Sequence, residues 1–353
     1  MAAPTQSMTM KKLAQHAGVS VQTVSRYINK GCISKKTADK VQKSIEKFNY
    51  YPSAIGQSLV KGKTNIIGIA IYHSNYIEGD THFSSLLSGV IESISNCGYS
   101  VQLLETCPEA ATANSGTYYL DKLRSRAIDG LIINDDTITD AEIIHLHSIG
   151  IPFVIVDRIV EQIPGKCVVE DSEANGYQLA KFLLGRGHHR IAYFGLFPNS
   201  PQTVRSLQGV YRAFNEHKAN IDNKFMYFGP NKADSNVVNY LAGMAKILTG
   251  PNSPSAAICP KAFLTEHLIK LLSMGLKVQE EFEFAAQVFK SDWISCKHCV
   301  YTVGSKSKQL GYAGGKLLMK LVSGQTEPKV PVVMPEGSFL EPKFNLSAII
   351  GQD

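Results

Sequence analysis

A small three-helix head followed by an α/β body of parallel sheets is the fold that this 353-residue sequence predicts. Three observations predict it. Residues 1–63 carry ten Lys and one Arg against only Asp39 and Glu46, a net charge of +9, whereas the rest of the chain comes to −3. Between Thr9 and Phe48, three short stretches repeat apolar residues at helical spacing, each behind a Ser or Thr. From Thr64 onward, short apolar runs rich in β-branched residues alternate with helical patterns. The composition, 44% hydrophobic and 19% charged, suits a folded chain with a large core. No apolar run reaches the ~18 residues that span a bilayer, and the start lacks the apolar stretch of a secretory signal. Seven Cys at irregular spacing do not form a disulfide framework. The expected setting is a reducing cytoplasm.

The head is justified element by element. Thr9 caps a helix over Lys11–His16, with Leu13, Ala14 and Ala17 on its apolar face. Gly18 ends it. Ser20 caps a second helix, Val21–Ile28, in which Val24 and Ile28 share one face and Gln22, Ser25, Arg26 and Asn29 lie on others. Ser34 caps a third, Lys35–Phe48, with Val41, Ile45 and Phe48 as its core stripe. Three short helices joined by a tight first turn form a helix-turn-helix module. The second helix would enter a DNA major groove with its N-terminal residues at the base edges. Its residue types suit that task. Gln22 can pair with adenine and Arg26 with guanine O6/N7. Thr9, Ser20, Thr23 and Ser25 suit phosphate contacts, and Lys35, Lys36 and Lys40 add long-range attraction.

The stretch TMKKLAQHAGVSVQTVSRYINK (9–30), continued by ISKKTADKVQKSIEKFNYYPSAIGQSLVKGKTNIIGI (33–69), resembles the start of a lac-repressor (LacI/GalR) family regulator. The resemblance implies base reading by Val21, Gln22 and Arg26, and adds Asn29, Tyr50, Ser53 and Gln57 to the DNA-facing set. It also implies that 52–60 is a hinge helix that pairs across a dimer and drives Leu59 into the central minor-groove step. Such a wedge costs a few kcal/mol of stacking, offset by added contact. Ser53 and Gly56 depart from the family's usual Asn and Ala, and Gly lowers helix propensity by ~1 kcal/mol.

In the body, NIIGIAIY is a buried parallel-type strand, followed by a helix over Phe83–Ser95. YSVQLLET, IDGLIIN, IPFVIVD and CVVED are further strands, with a helix near 117–126 and another over 173–186. HHRIAYFG, SAAICP, EFAAQV and CVYTVG continue the series, and 307–322 is the last long helix. This pattern predicts open parallel sheets with helices on both faces, in two lobes. It is similar to the periplasmic-binding-protein-like core of the same family. The expected domains are a helix-turn-helix DNA-binding domain (1–51), a hinge helix and linker (52–63), and a two-lobe effector-binding and dimerisation domain (64–353). Lobe 1 is expected at about 64–160 and 291–325, and lobe 2 at about 161–290 and 326–353.

Ligands of such folds bind between the lobes, at the carboxyl ends of strands. The candidates there are Tyr72, His73 and Ser74, Asp157, Glu170 with Asp171, and Arg205. The resemblance implies that Asp157 and Arg205 hold the effector, and the forked guanidinium makes Arg205 the strongest candidate. The second lobe departs from the family, with Pro260-Lys261 for the usual Asn-Asp and Ala286-Gln287-Val288 for the usual Gly-Phe/Tyr-Asp. If Lys261 faces the cleft, Arg205 and Lys261 together favour an anionic ligand; Asp157 and Glu170 oppose that.

Other chemistry is weakly supported. Cys296 and Cys299 have the spacing of half a zinc site, with no second CxxC. The glycines at 185, 187 and 195 do not form a phosphate loop, and no G-x-S-x-G elbow is present. Asn134-Asp135-Asp136 reads as a solvated turn. The sequence therefore predicts a non-enzymatic, sequence-specific transcription regulator, most simply a repressor, without cofactor or metal. Its expected partners are a palindromic double-stranded operator, a second copy of itself, and a small-molecule effector (sugar, sugar phosphate or other anionic metabolite). No membrane is involved, and no leucine heptads follow Pro331 to build a tetramer. The competing reading is a ligand-binding receptor with the same body fold, against which the basic head argues.

Overall fold

The computed structural model describes residues 8–52, 56, 58, 62–71, 81–106, 118–135, 138–195, 198, 200–229, 237–250, 252–288, 296–334 and 339–340. Of the expected hinge helix only residues 52, 56 and 58 are described; Ser53, Gln57 and Leu59, and the expected cleft residues Tyr72, His73 and Ser74, lie outside the described residues. The chain forms two compact units, Met1–Asn65 and Ile66–Asp353.

The head consists of α1 (Met10–Ala17), α2 (Val21–Ile28) and α3 (Lys35–Phe48). Each helix starts where a hydroxyl satisfies an otherwise orphaned amide. Thr9 accepts from Lys12 N at 3.3 Å, Ser20 from Thr23 N at 3.1 Å, and Ser34 from Thr37 N at 3.3 Å. Gly18 ends α1 at φ +64°, a left-handed turn that places Ser20 to start α2 one residue after Val19. Leu13, Ala14, Val24 and Val41 are buried to 2% exposure or less, and Tyr50 joins them.

The second unit holds two six-stranded sheets. The first runs β11 (Val332–Met334), β5 (Cys167–Glu170), β4 (Phe153–Val156), β3 (Gly130–Ile133), β1 (Ile66–Ile71), β2 (Ser100–Glu105), all parallel. Side chains alternate across it. Ile67, Ile69 and Ile71 face α4 (Thr81–Ser95) and α11 (Ser307–Val322). Ala70, Ile133 and Ile155 face the side covered by α5 (Tyr118–Arg124) and α6 (Asp140–Ser148). The second sheet runs β12 (Phe339–Leu340), β10 (Cys299–Gly304), β9 (Glu283–Val288), β8 (Ala256–Cys259), β6 (Ile191–Gly195), β7 (Met226–Phe228), parallel except for β12. Tyr193, Ile258, Ala285 and Val303 pack under α7 (Ser172–Gly185) and α8 (Pro201–Glu216). Ala192, Phe194, Ala257 and Phe284 pack under α9 (Val237–Thr249) and α10 (Ala262–Ser273).

The expected elements are present, but the lobe crossings fall elsewhere than expected. β5 pairs with β4, so the chain leaves the first sheet after Glu170, not near 160. β10 pairs with β9 and belongs to the second sheet, so the return lies between Gly304 and Ser307, not near 290. β11 pairs with β5 and β12 with β10, which puts the last crossing between Met334 and Phe339, not near 325. The reason is physical: buried strands such as CVVE and CVYTVG carry the same apolar pattern in either sheet, and only their hydrogen-bond partners decide the lobe.

Each lobe seals one helix pair with glycine. A Cβ on Gly209 would stand 1.9 Å from Glu173 O, and one on Gly176 would stand 2.2 Å from Ser206 O, so α7 and α8 meet backbone to backbone. In the first lobe, Gly89 faces Lys308 O and Gly311 faces Leu86 O at 2.0 and 1.9 Å by the same measure. Alanine favours a helix over glycine by ~1 kcal/mol, yet no methyl fits here without moving a backbone. Gly209→Ala is therefore expected to lower stability by about 1–3 kcal/mol, read from the urea midpoint; a rise in the midpoint would show that these helices separate freely.

Candidate nucleic-acid interface and interlobe cleft

Along α2, Val24 is buried while Val21, Gln22 and Arg26 are exposed to solvent. Gln22 and Arg26 make no side-chain hydrogen bond or ion pair among the described residues, which leaves an amide and a guanidinium available for base edges. Their neighbours are already committed. The Thr23 hydroxyl lies 2.9 Å from Ser20 Oγ. Asn29 donates through Nδ2 to Ser25 O at 2.9 Å and approaches Ser25 Oγ at 3.4 Å. Thr9, Ser20 and Ser34 place three capped helix N-termini in the head, and Lys35, Lys36 and Lys40 are exposed along the start of α3. Tyr50, expected to face DNA, is 7% exposed and packs in the head's core, where burial raises its hydroxyl pKa.

The cleft is built at the carboxyl ends of the strands. A small pocket is lined from the second lobe by Ser172, Asn175, Tyr193, Gln202, Thr203 and Ser206, with Pro260, Lys261 and Gln287. Glu170 completes the lining from the end of β5. The hydroxyls of Tyr193 and Ser206 are buried neighbours that interact with each other, and neither has a partner of good hydrogen-bond geometry. Burial pushes the Tyr193 hydroxyl pKa up, so it stays a neutral donor.

The expected effector carboxylates are occupied by the protein itself. Glu170, 7% exposed, accepts from Gln287 Nε2 at 2.7 Å, from Ser305 Oγ at 3.3 Å and from the Lys306 amide. Asp157, at φ +66° on the end of β4, lies 3.7 Å from Lys261 Nζ and 3.8 Å from His82 Nε2. Lys261 does face the cavity, but with this counter-charge beside it. Arg205 lies on α8 with its Nε buried and unpartnered, and its side chain is not part of the cavity wall. Of the two expected cations, Lys261 lines this pocket. Sequence reasoning missed Asn175, Tyr193, Gln202, Ser206 and His82. Tyr193 sits in an apolar strand and Ser206 in an amphipathic helix, so neither carries a polar signature.

Two other constellations are structural. Cys296 and Cys299 are buried in the second lobe, and burial pushes the Cys299 thiol up to about 12, away from reactive thiolate. Ser255 Oγ lies 3.0 Å from His188 Nδ1, and His188 Nε2 lies 3.0 Å from Glu283 Oε2, a triad-like row. However, Arg186 clamps both Glu283 oxygens at 2.5 and 2.6 Å. The Arg186 hydrogen bond, helped by His188, holds the Glu283 carboxyl below the usual range and removes its use as a base. The row lies at the amino ends of β8 and β9, opposite the cleft, where it ties two strand starts together.

Comparison with known proteins agrees with this geometry. Residues 9–53 match the family of bacterial regulatory proteins, lacI family, and residues 67–237 match the periplasmic binding proteins and sugar binding domain of the LacI family. The HTH-type transcriptional repressor PurR of Vibrio atlanticus (strain LGP32) is 28% identical over 277 residues, 77% of this chain and 79% of PurR. The HTH-type transcriptional regulator AglR of Rhizobium meliloti (strain 1021) is 24% identical over 321 residues, 90% of this chain and 88% of AglR. Among solved structures, the lac repressor dimer bound to operator and the anti-inducer ONPF superposes with a TM-score of 0.75 at 20% identity, covering 96% of this chain and 99% of that one. The CelR–cellobiose complex superposes at 0.63 and 20% identity, covering 95% and 100%. With a capped helix-turn-helix at one end and a two-lobe cleft in its body, this chain belongs to the lacI family of bacterial regulatory proteins.

Proposed function

We propose that this protein is a cytoplasmic transcriptional repressor that binds a palindromic operator as a homodimer and is controlled by a small molecule in the interlobe cleft. The observation that carries the reading is the exposed, uncommitted pair Gln22 and Arg26 on the second helix of a head with net charge +9. One such head reads half a site, so a two-fold operator calls for two copies. Ser20, Val21, Thr23, Ser25 and Asn29 support the pair by fixing the helix start and its backbone contacts. Of the head's candidates, Thr9 contributes through the start of α1.

The cavity wall points to the effector's chemistry. Lys261 is paired with Asp157 and Glu170 is held by three neutral donors, while the buried Tyr193 and Ser206 hydroxyls have no hydrogen bond of good geometry. The effector is accordingly a compact, uncharged compound rich in hydroxyl or amide groups. It takes these hydroxyls together with the amides of Asn175 and Gln202. Its binding biases the angle between the lobes.

Two experiments check this reading. In competition binding with operator variants, Gln22→Ala and Arg26→Ala are each expected to relax base preference by about 1–3 kcal/mol; an equal loss on every sequence would mean that both touch phosphate alone. In a thermal-shift screen, uncharged sugars, nucleosides and amides are expected to stabilise the protein by about 2.7 kcal/mol at a hundred times Kd, with phosphorylated analogues inert. Tyr193→Phe should weaken that ligand about fivefold to tenfold while changing the stability of the ligand-free protein little, because the hydroxyl it removes has no hydrogen bond of good geometry.

A further inference from the structure

Lys261 stands where a lysine is electrostatically out of place. It occupies the N-cap of α10 and makes no side-chain capping bond there. A helix N-terminus favours oxygen acceptors and negative charge, and a cation at that position opposes the helix dipole. Something other than helix stability must account for it. Across the cleft, Asp157 ends β4 of the first lobe at φ +66°, a left-handed conformation that strains most residues and that Asp or Asn tolerates best. The Asp157 backbone N–H still donates to Val168 O at 2.8 Å, so the carboxylate is held at a fixed place. The two charges meet at 3.7 Å, with side chains only 30% and 16% exposed. An ion pair so withdrawn from water is screened less than a surface pair.

The contact does not end at Asp157. His82, in the first turn of α4, approaches the same carboxylate through Nε2 and Ser307 Oγ through Nδ1 at 2.8 Å. Ser307 Oγ lies 2.7 Å from Ser305 Oγ, Ser305 donates to Glu170, and Glu170 accepts from Gln287 of the second lobe. A polar chain thus starts at Lys261 and ends at Gln287, both on the second lobe and both lining the cavity. Between them it passes through the first lobe and two interlobe crossings.

We propose that Lys261 is a built-in latch, which holds the lobes together across the cleft through Asp157 and reports the cavity's state to the crossings through His82, Ser307, Ser305 and Glu170. Its regulatory meaning rests on the cleft being the effector site; its mechanical role does not. An effector in the cavity lies against Lys261 and Gln287, so it loads both ends of the chain at once.

The test is the distribution of interlobe distances in the full-length, ligand-free protein. Fluorescent dyes are placed on unnatural amino acids at the exposed positions 96 and 218. Wild type and Lys261→Arg should give one narrow distribution. Lys261→Met and Asp157→Asn should each broaden it toward longer distances, and the double variant should broaden it no further, since both remove one interaction. Thermal midpoints within a few degrees of wild type identify folded variants. A Lys261→Met distribution that superimposes on wild type, or single effects that simply add, would overturn the latch. Operator binding measured in parallel separates the two readings. A chain that ignores every operator but opens on Lys261→Met refutes the repressor and keeps the latch; a chain that binds operator with an unchanged distance distribution does the reverse.

Discussion

Burying one carboxylate at the point where the chain leaves its first sheet constrains the geometry of the whole body. Glu170 ends β5, and a withdrawn carboxylate is tolerated only where donors surround it. Those donors come from separate places: a side chain at the end of a second-lobe strand, and a side chain and an amide from the segment returning to the first lobe. Two of the interlobe passages are thereby fixed to one another. The sheets, the glycine-sealed helix pairs and the cavity wall are arranged around that joint. Removing one of its donors would strand a buried charge, which costs more than the loss of an ordinary hydrogen bond.

The head follows a different logic. It is too small to depend on burial alone, and its start and stop signals carry much of its definition. Three hydroxyl caps and one left-handed glycine set the helix limits. The same caps keep the amide-rich ends of the helices ordered, which is what a phosphate needs. Side chains around Gln22 and Arg26 bond locally, so the two that remain available are defined by what their neighbours do.

Much of this was legible in the residues. α2, α3, β9, β10 and α11 carry strong periodicity or caps, and their observed limits coincide with the expected ones. Local signals of this kind act within a few residues, so a sequence displays them directly. The lobe assignment of β5 and β10 was not legible, because pairing is a long-range choice between sheets with the same apolar pattern. The cavity was only half legible. Strand-end positions marked Asp157, Glu170 and Lys261, but not that Asp157 would pair with Lys261 or that Glu170 would join two interlobe passages. Tyr193 and Ser206 were hidden because a polar atom on an otherwise core-facing residue leaves no pattern.

The two last strands set a limit on how the lobes can move. Met334 closes the edge of one sheet and Phe339 opens the edge of the other. Five peptide steps separate them, so the two strand ends can never stand more than about 17 Å apart. This short leash ties the outer edges of both sheets together on the side where the other crossings also lie. Separation of the lobes as free bodies is thus forbidden while both edges stay paired. What remains is a swing about that tethered side, in which small displacements near the joint become larger ones at the far rim. The chain's geometry is that of a lever, and its short arm lies at the cavity.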